Sequence, residues 1–466
     1  MRRLLCAAAW LVASPAIASP LAKQVDVVVT RNANGGWTAD YRFRERAGAW
    51  MFPRSNPDLD SKPWRQRSWT VETPGVTLER LGRYDALVAK GGVPTRVRIR
   101  FAPMAEPLRA DYQPALAFTD GSVALCIDHF TVAPQPSAAA VARLGFDLTD
   151  LAERPVAIEL RAAKRRVLAR GAVARGIAKL GPGQSDAYVY VGDLPAVETP
   201  SLVGVIDPGM PDWVRGELDA LLPRLLAYYT KRLGKPAGAR PTALVSWGGA
   251  ARGGISLSGS VLDGMVVMDL SGKQLVERSQ PVLDRQRMHF AHEAAHFWIG
   301  HTIAYDTPAD AWITEGSADL LAIRALGALT PDFDTRRALQ REVDECQKVN
   351  GAKPLGGASE RGDMRANYGC GAMLMLAAEG AERRRDPSAD AATFAKRLLD
   401  ANRADGIVTR ADWLAAFGQV SGNPAITARV SMFLERGMAD PAVFIAQLLD
   451  IADVGYTHAG DAITLT

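Results

Sequence analysis

The sequence has little net charge, few cysteines and few histidines. Its 466 residues carry a formal net charge of +4, with four cysteines and six histidines. So small a charge gives no sign of the basic surface that nucleic-acid binding requires, and we expect no nucleic-acid partner. The sequence also has no internal repeat and no low-complexity tract. Together with the length of 466 residues, this composition indicates a globular protein of two or three domains.

The sequence has no hydrophobic run long enough to span a bilayer. A shorter apolar run lies at the N-terminus, within MRRLLCAAAWLVASPAIASP. Arginines precede this run and the small-x-small triplet AIA follows it, which predicts a secretory signal peptide over residues 1–18. We therefore expect an exported mature chain without a membrane span, either periplasmic or secreted. The sequence does not specify its oligomeric state.

Three cysteines remain after the predicted cleavage. Export permits disulfides, and Cys346 and Cys370 flank a loop 24 residues apart, so they are the candidate pair. Cys126 would then be a buried free thiol.

The order of patterns along the chain predicts a multidomain α+β protein. Short alternating segments separated by Gly, Pro, Asn and Asp indicate an all-β, sandwich-like domain over residues 19–201. Residues 202–385 follow with a small mixed sheet and then helices, including a helix over 211–234 and a Gly-rich strand pair or bulged strand over 253–269. Residues 386–466 are predicted to be a C-terminal helical region.

The segment HEAAHFWIGH, which begins at His292, carries the clearest chemical signal. We predict one helix over 281–300, on which His292 and His296 lie one turn apart on the same face. Imidazoles so placed can bind one zinc ion, and Glu293 lies beside them, where a general base could take a proton from water. His289 and His301 are expected to be packing or supporting residues.

A catalytic zinc site needs a third protein ligand, and the helical segment over 307–326 offers Glu315, 19 residues after His296. Two antiparallel helices joined by a short turn would bring Glu315 opposite the histidine pair. Asp319 follows Glu315 by one turn, where it can accept a hydrogen bond from the far nitrogen of a ligand histidine. The alternative is a packed helix that contains histidines without binding metal. It does not explain why a glutamate also lies at a suitable distance, 19 residues after His296.

These residues resemble the gluzincin metallopeptidases, and most closely the aminopeptidase N-like family. That family has the pattern HExxHxWxG, eighteen intervening residues, and a WxxEG segment. The resemblance implies a thermolysin-like catalytic domain over 202–385, one Zn²⁺, and a peptide substrate. It also implies His292, His296 and Glu315 as zinc ligands and Glu293 as the base. The matching residues are His292, Glu293, His296, Trp298, Gly300, Trp312, Glu315 and Gly316.

Two further segments are compared with the family pattern. NYGCGAMLML is similar to the family's Y-x-K-G-A segment, which implies Tyr368 as a donor to the oxyanion, with Cys370 in place of the lysine. LSGSVLDGMVVM lies where the family has a substrate strand with a G-x-M-E-N motif, whose glutamate holds a free amine.

This second segment has no glutamate, so Asp263 is the nearest carboxylate. The substrate-strand candidates are Gly259, Ser260, Asp263 and Gly264. Three functions therefore stay open: an aminopeptidase-like enzyme, an endopeptidase of the same fold, or a catalytically silent peptide-binding or assembly protein.

Overall fold

The structure is a computed structural model that describes residues 24–148, 151, 154–251 and 253–466. The predicted signal peptide, residues 1–18, lies outside the described residues. None of the described helices is long and apolar enough to cross a bilayer.

The strands are short and are concentrated in the first 271 residues. In chain order they are β1 (Val25–Arg31), β2 (Trp37–Arg42), β3 (Ala47–Phe52), β4 (Trp69–Val71), β5 (Val76–Leu81), β6 (Tyr84–Val93), β7 (Arg96–Phe101), β8 (Ala115–Ala117), β9 (Val123–Cys126), β10 (Ala133–Gln135), β11 (Val156–Ala169), β12 (Ala172–Leu180), β13 (Tyr188–Gly192), β14 (Val197–Thr199), β15 (Leu202–Ile206), β16 (Thr242–Trp247), β17 (Ser256–Leu262), β18 (Met265–Ser271), β19 (Ala304–Tyr305), β20 (Ile407–Val408), β21 (Tyr456–Ala459) and β22 (Ala462–Leu465).

Helices dominate the chain after residue 271. In chain order the α-helices are α1 (Arg65–Ser68), α2 (Ala138–Ala142), α3 (Asp212–Leu233), α4 (Gln280–Ala295), α5 (Ala311–Leu329), α6 (Thr335–Glu345), α7 (Ala358–Arg361), α8 (Met364–Arg385), α9 (Ala391–Asn402), α10 (Arg410–Ser421), α11 (Pro424–Arg436) and α12 (Pro441–Ala452).

The described residues divide into two compact units, of which the first comprises the described residues of 24–102, 128–161 and 179–185. One of its sheets has the order β4-β7-β2-β1 and continues into the first part of β11, and a second has the order β10-β3-β6-β5. Apolar and polar residues alternate along β7, which buries one face. Tyr41 of β2 packs edge-on against Phe52 of β3, with ring centroids 6.3 Å apart, so the two sheets face each other as a sandwich.

The second unit comprises residues 103–127, 162–178 and 186–466. Its mixed sheet has the order β14-β15-β16-β18-β17. Strands β15, β16 and β18 run parallel, and β17 pairs antiparallel with β18 at one edge. The Gly-rich segment is therefore a hairpin whose outer strand, β17, has one free edge in this sheet.

The structure places the division between the units differently from the predicted boundary at residue 201. Strands β8, β9 and β13 lie in the second unit, because their apolar side chains share one buried cluster with the mixed sheet. Leu116, Cys126 and Tyr190 belong to this cluster together with Val205 and Val267. Alternation along a strand shows that one face is buried, but it does not show which sheet covers that face.

The helices of the second unit pack around one continuous core. Phe394 of α9, Phe417 of α10, Phe433 of α11 and Phe444 of α12 are buried in the same cluster as Trp312 of α5. The predicted boundary at residue 385 therefore does not separate a second helical core. The multidomain α+β fold class is confirmed, with its β-rich N-terminal part, its central mixed sheet and its C-terminal helices.

Candidate metal centre

Helix α4 presents the histidine pair at its C-terminal end. Pro281 lies in its first turn, where its missing N–H costs no helical hydrogen bond. The predicted helix over 281–300 is too long, because α4 ends at Ala295 and His296 is its C-cap. The chain then turns, and Gly300 adopts a φ of +135°, which a continuing helix does not allow. The apolar run after His296 hides this turn in the sequence.

Helix α5 brings Glu315 to the same point. Its Oε2 atom lies 3.3 Å from His292 Nε2 and 3.5 Å from His296 Nε2. The two Nε2 atoms are 2.9 Å apart. These three residues form the one group of potential metal ligands found among the described residues. The structure thus brings together the three side chains that the spacing predicted.

The outer nitrogens of both rings are engaged with acceptors. His292 Nδ1 lies 2.8 Å from Asp319 Oδ1, and His296 Nδ1 lies 2.8 Å from the carbonyl oxygen of Ile299. A carbonyl oxygen only accepts hydrogen bonds, so the proton of neutral His296 is on Nδ1 and its Nε2 carries a lone pair. The contact of His292 Nδ1 with Asp319 Oδ1 favours the same tautomer when His292 is neutral.

Three lone-pair donors therefore converge in a buried space. The Oε2 atom of Glu315 has no hydrogen-bond partner among the described residues. Such a cluster is repulsive unless a proton or a cation lies within it. Ligand atoms at about 2.0–2.1 Å from one zinc ion lie roughly 3 Å from each other. The residues present thus fit a zinc ion held by two imidazoles and one carboxylate.

The electrostatics of the metal-free cluster show how strongly its members interact. Burial on its own lowers the pKa of His292, but the carboxylates of Asp319 and Glu315 raise it well above its usual value. Burial on its own raises the pKa of Glu315, but His296 and His292 lower it well below its usual range. The carboxylate is therefore ionised and available as a ligand.

Glu293 follows His292 on α4 and points beside the three ligands. It is 7 % exposed, and its Oε1 atom lies 3.6 Å from His289 Nδ1. The strand β17 approaches so closely that a Cβ atom added at Gly259 would lie 2.0 Å from Glu293 Oε1. Glycine at this position is what allows strand and carboxylate to meet.

Tyr368 lies on α8, facing the histidines. Its ring stacks on that of His292 with centroids 5.4 Å apart, and the guanidinium of Arg365 lies 4.3 Å from the tyrosine ring centroid. Burial and the neighbouring Glu315 carboxylate raise the pKa of the Tyr368 phenol above its usual value. The hydroxyl therefore keeps its proton and can donate a hydrogen bond.

The disulfide lies next to this tyrosine. Cys346, just after α6, is bonded to Cys370 on α8, and both are buried. Cys126 is buried and is not part of the disulfide. The bond ties the end of α6 to the helix that carries Tyr368.

Only part of the predicted substrate strand lies at the site. Gly259 lines the cleft beside Glu293, whereas Ser260, the next residue on β17, does not line it. Asp263 and Gly264 are corrected to the turn after β17, because the strand ends at Leu262. Asp263 forms an ion pair with Arg170 there, and its Oδ1 atom lies 3.3 Å from His301 Nε2. It is therefore not a carboxylate of the cleft.

A cleft of about 950 Å³ extends from the ligand residues between α4, α6 and α8. Sequence reasoning missed most of its wall, including Arg285, Arg337, Arg341 and Arg365. Arg285 and His289 precede Glu293 at helical spacing, so the face of α4 could have indicated them. No local signal indicated α6, because tertiary packing brings that helix to the cleft.

Comparisons by sequence and by structure give different results. No family model matches the sequence, and no curated protein matches it. The structure resembles an aminopeptidase N family protein from Idiomarina loihiensis, with a TM-score of 0.65, 13% identity, and coverage of 91% of this chain and 78% of that chain. It also resembles native yeast LTA4 hydrolase, with a TM-score of 0.50, 10% identity, and coverage of 89% of this chain and 68% of that chain. An M1 zinc metallopeptidase from Deinococcus radiodurans aligns with a TM-score of 0.48 at 14% identity, over 89% of this chain and 93% of that chain.

The fold and the geometry of the candidate metal ligands both agree with the resemblance found in the sequence. The chain has the α+β fold of aminopeptidase N family proteins, and the predicted resemblance is confirmed for the fold. Its three candidate metal ligands meet within that fold.

Proposed function

We propose that the protein is a zinc-dependent peptidase. The observation that carries this proposal is the convergence of two imidazole Nε2 atoms and one carboxylate oxygen in a buried cluster, with Glu293 beside them. The likeness of the fold to an aminopeptidase N family protein supports the same reaction class. The proposed substrate is a peptide.

His292, His296 and Glu315 would hold one zinc ion, and Asp319 would orient His292. Zinc bound there would supply a Lewis acid that polarises the scissile carbonyl and lowers the pKa of a water molecule. Glu293 takes the proton from the attacking water and passes it to the leaving amine. Tyr368 donates a hydrogen bond to the carbonyl oxygen as that oxygen becomes negative.

The reaction is aminopeptidase-like by the likeness of the fold, and cleavage of internal peptide bonds is the second candidate. Strand β17, SLSGSVL, contains no carboxylate, and Asp263 is held in the turn after it. This observation favours the second candidate, because an aminopeptidase needs a group that holds the free amine. Comparing free with N-acetylated peptides separates the two, since acetylation abolishes only aminopeptidase cleavage.

We also propose that the protein is exported, to the periplasm or to the medium. The disulfide between Cys346 and Cys370 supports this proposal, because such bonds persist in oxidising compartments. The N-terminal pattern of charge and apolar residues supports it as well.

The activity is tested with the Glu293→Gln variant. The wild type should bind one zinc and cleave a fluorogenic peptide mixture in a chelator-sensitive way. The variant should retain zinc, because its ligands are untouched, and lose nearly all turnover. Glu360→Gln, at an exposed residue of α7, is the matched control. Zinc binding without chelator-sensitive cleavage of any peptide would instead favour a silent peptide-binding or assembly protein.

A further inference from the structure

The end of α6 lies against the part of α8 that carries Tyr368. Cys346, which follows α6, is bonded to Cys370, two residues after the tyrosine. A Cβ atom added at Gly369 would lie 2.7 Å from the carbonyl oxygen of Glu342 and 2.8 Å from the backbone nitrogen of Cys346. The two backbones are therefore in contact beside Tyr368, and the disulfide links them covalently.

These backbone contacts do not by themselves fix the tyrosine side chain. The hydroxyl lies at its far end, so a rotation about the Cα–Cβ bond displaces the hydroxyl more than any other atom of the residue. The ring of Tyr368 lies against that of His292, with centroids 5.4 Å apart and planes inclined by 20°. The Cζ atom of Arg365 lies over the ring, 4.3 Å from its centroid. Both contacts restrict the orientation of the ring, and with it the position of the hydroxyl.

Arg365 is itself held by α6. It precedes Tyr368 by three residues, so the two side chains are neighbours on the surface of α8. Its Nε and Nη2 atoms both donate to Oε2 of Glu345, the last residue of α6, with an Nε–Oε2 distance of 2.9 Å. Hydrogen bonds between ionised groups are stronger than neutral ones, and two of them orient the guanidinium plane. The contacts from Glu345 to Arg365 to Tyr368 therefore connect α6 to the phenol ring.

The contact between Arg365 and the ring is attractive and does not depend on pH. Burial on its own lowers the pKa of Arg365, but the carboxylates of Asp319 and Glu345 raise it above its usual value. The guanidinium therefore stays cationic throughout the range in which proteins are assayed. A cation over an aromatic ring is attracted by the negative face of that ring.

We propose that Arg365 is a positioning residue for Tyr368. Held by Glu345, its guanidinium packs on the phenol ring and keeps the hydroxyl where it donates to the substrate carbonyl oxygen as that oxygen becomes negative. Arg365 acts through the tyrosine and not on the reacting atoms. This inference rests on the proposed peptidase function and adds to it the group that orients the proposed oxyanion donor.

The first test compares the steady-state kinetics of the zinc-loaded wild type and Arg365→Gln on a fluorogenic peptide. We expect kcat to fall about tenfold, a smaller loss than that of Tyr368→Phe, because the hydroxyl is present but is in place less often. KM should change by less than about twofold, because binding of the ground state is not altered. Arg384→Gln is the matched control, at an exposed arginine of α8 that donates to the carbonyl oxygen of Asp450 and does not line the cleft. An unchanged kcat in Arg365→Gln, or a rise in KM alone, would overturn the proposal.

A double-mutant cycle shows whether the effect of Arg365 passes through the tyrosine. In the Tyr368→Phe background the hydroxyl is absent, so Arg365→Gln should lower kcat by less than about twofold further. Equal losses in both backgrounds would mean that Arg365 acts on the substrate or on another group, which contradicts the proposal. Zinc content is measured in each variant, because the carboxylate of Asp319 acts on Arg365 and also contacts His292. A loss of zinc that accounts for the loss of kcat would likewise contradict it.

A structural measurement separates this proposal from the peptidase function. Crystal structures of the zinc-loaded wild type and of Arg384→Gln should show the Tyr368 side chain in one position, and that of Arg365→Gln should show it displaced or in more than one conformer. If the wild type cleaves no peptide in a chelator-sensitive way, the peptidase proposal fails, while the crystal structures still test the role of Arg365. A Tyr368 side chain that is unmoved in Arg365→Gln overturns the positioning proposal whatever the turnover result.

Discussion

A methyl group added at Gly316 should damage the site without touching any proposed catalytic group. Gly316 on α5 faces Gly371 on α8, and a Cβ atom at residue 316 would lie 2.1 Å from the carbonyl carbon of Gly371. A Cβ at Gly371 would likewise lie 2.3 Å from the carbonyl oxygen of Trp312. The two glycines thus allow the backbones of α5 and α8 to cross in contact.

The expected losses of stability and of turnover in Gly316→Ala follow from this geometry. Ordinary van der Waals contact begins at 3.4 Å, so the helices must separate locally by about 1.3 Å to accept the methyl group of Gly316→Ala. Overpacking of this kind costs about 1–3 kcal/mol. Glu315 precedes Gly316, and Tyr368 lies one turn before Gly371, so the separation also moves the proposed oxyanion donor away from the ligand. Misplacement by about 1 Å can lower turnover by roughly 100-fold.

The assay combines kcat/KM for chelator-sensitive peptide cleavage, zinc content and thermal unfolding. Gly316→Ala should unfold at a lower temperature and lose about 100-fold in kcat/KM. Gly216→Ala is the matched control, because Gly216 is also helical, in α3, and a Cβ there has no neighbour within 4 Å. That control should be stabilised by up to about 1 kcal/mol. Wild-type stability together with wild-type activity in Gly316→Ala would refute the close-crossing argument.

Three further perturbations test other parts of the site. Tyr368→Phe should lower kcat by about 100-fold or more in the peptide assay, and a change below threefold would remove Tyr368 from the proposed role. Burial and the nearby Asp319 carboxylate raise the pKa of Glu342 well above its usual value, so wild-type stability should fall as pH rises above about 4.3, where the unfolded state ionises. In denaturant titrations Glu342→Gln should therefore gain stability over the wild type between pH 4 and pH 8, and a constant difference across that range would contradict the expectation. Replacing both Cys346 and Cys370 by Ala should cost about 3 kcal/mol by non-reducing denaturant titration, and an unchanged midpoint would show that the 24-residue link constrains little.

The candidate metal ligands could be predicted because their spacing is local. His292 and His296 are one turn apart, and a short connection between α4 and α5 is enough to bring Glu315 opposite them. The end of α4 was harder to predict, because FWI after His296 continues an apolar pattern. The structure ends the helix there, and the bond from His296 Nδ1 to Ile299 depends on that turn.

The parts that sequence did not predict depend on contacts between distant segments. The wall of the cleft includes Arg337 on α6 and Arg365 on α8, and neither has a spacing relation to His292. The sheet membership of β9 and β13 likewise depends on which apolar surface they meet. Periodicity shows that a face is buried, whereas the partner of that face is set by the whole fold.

The wall of the cleft carries charges of both signs. Strand β17 has no carboxylate, but Asp284 and Asp334 line the cleft as well as Arg285 and Arg337. The charge of the wall alone therefore favours neither an ammonium group nor a carboxylate on a peptide. The candidate metal ligands lie on α4 and α5 or at the end of α4, whereas much of the rest of the wall is supplied by α6. Because different helices carry the two, the residues of the wall can change with little effect on the geometry of the candidate ligands.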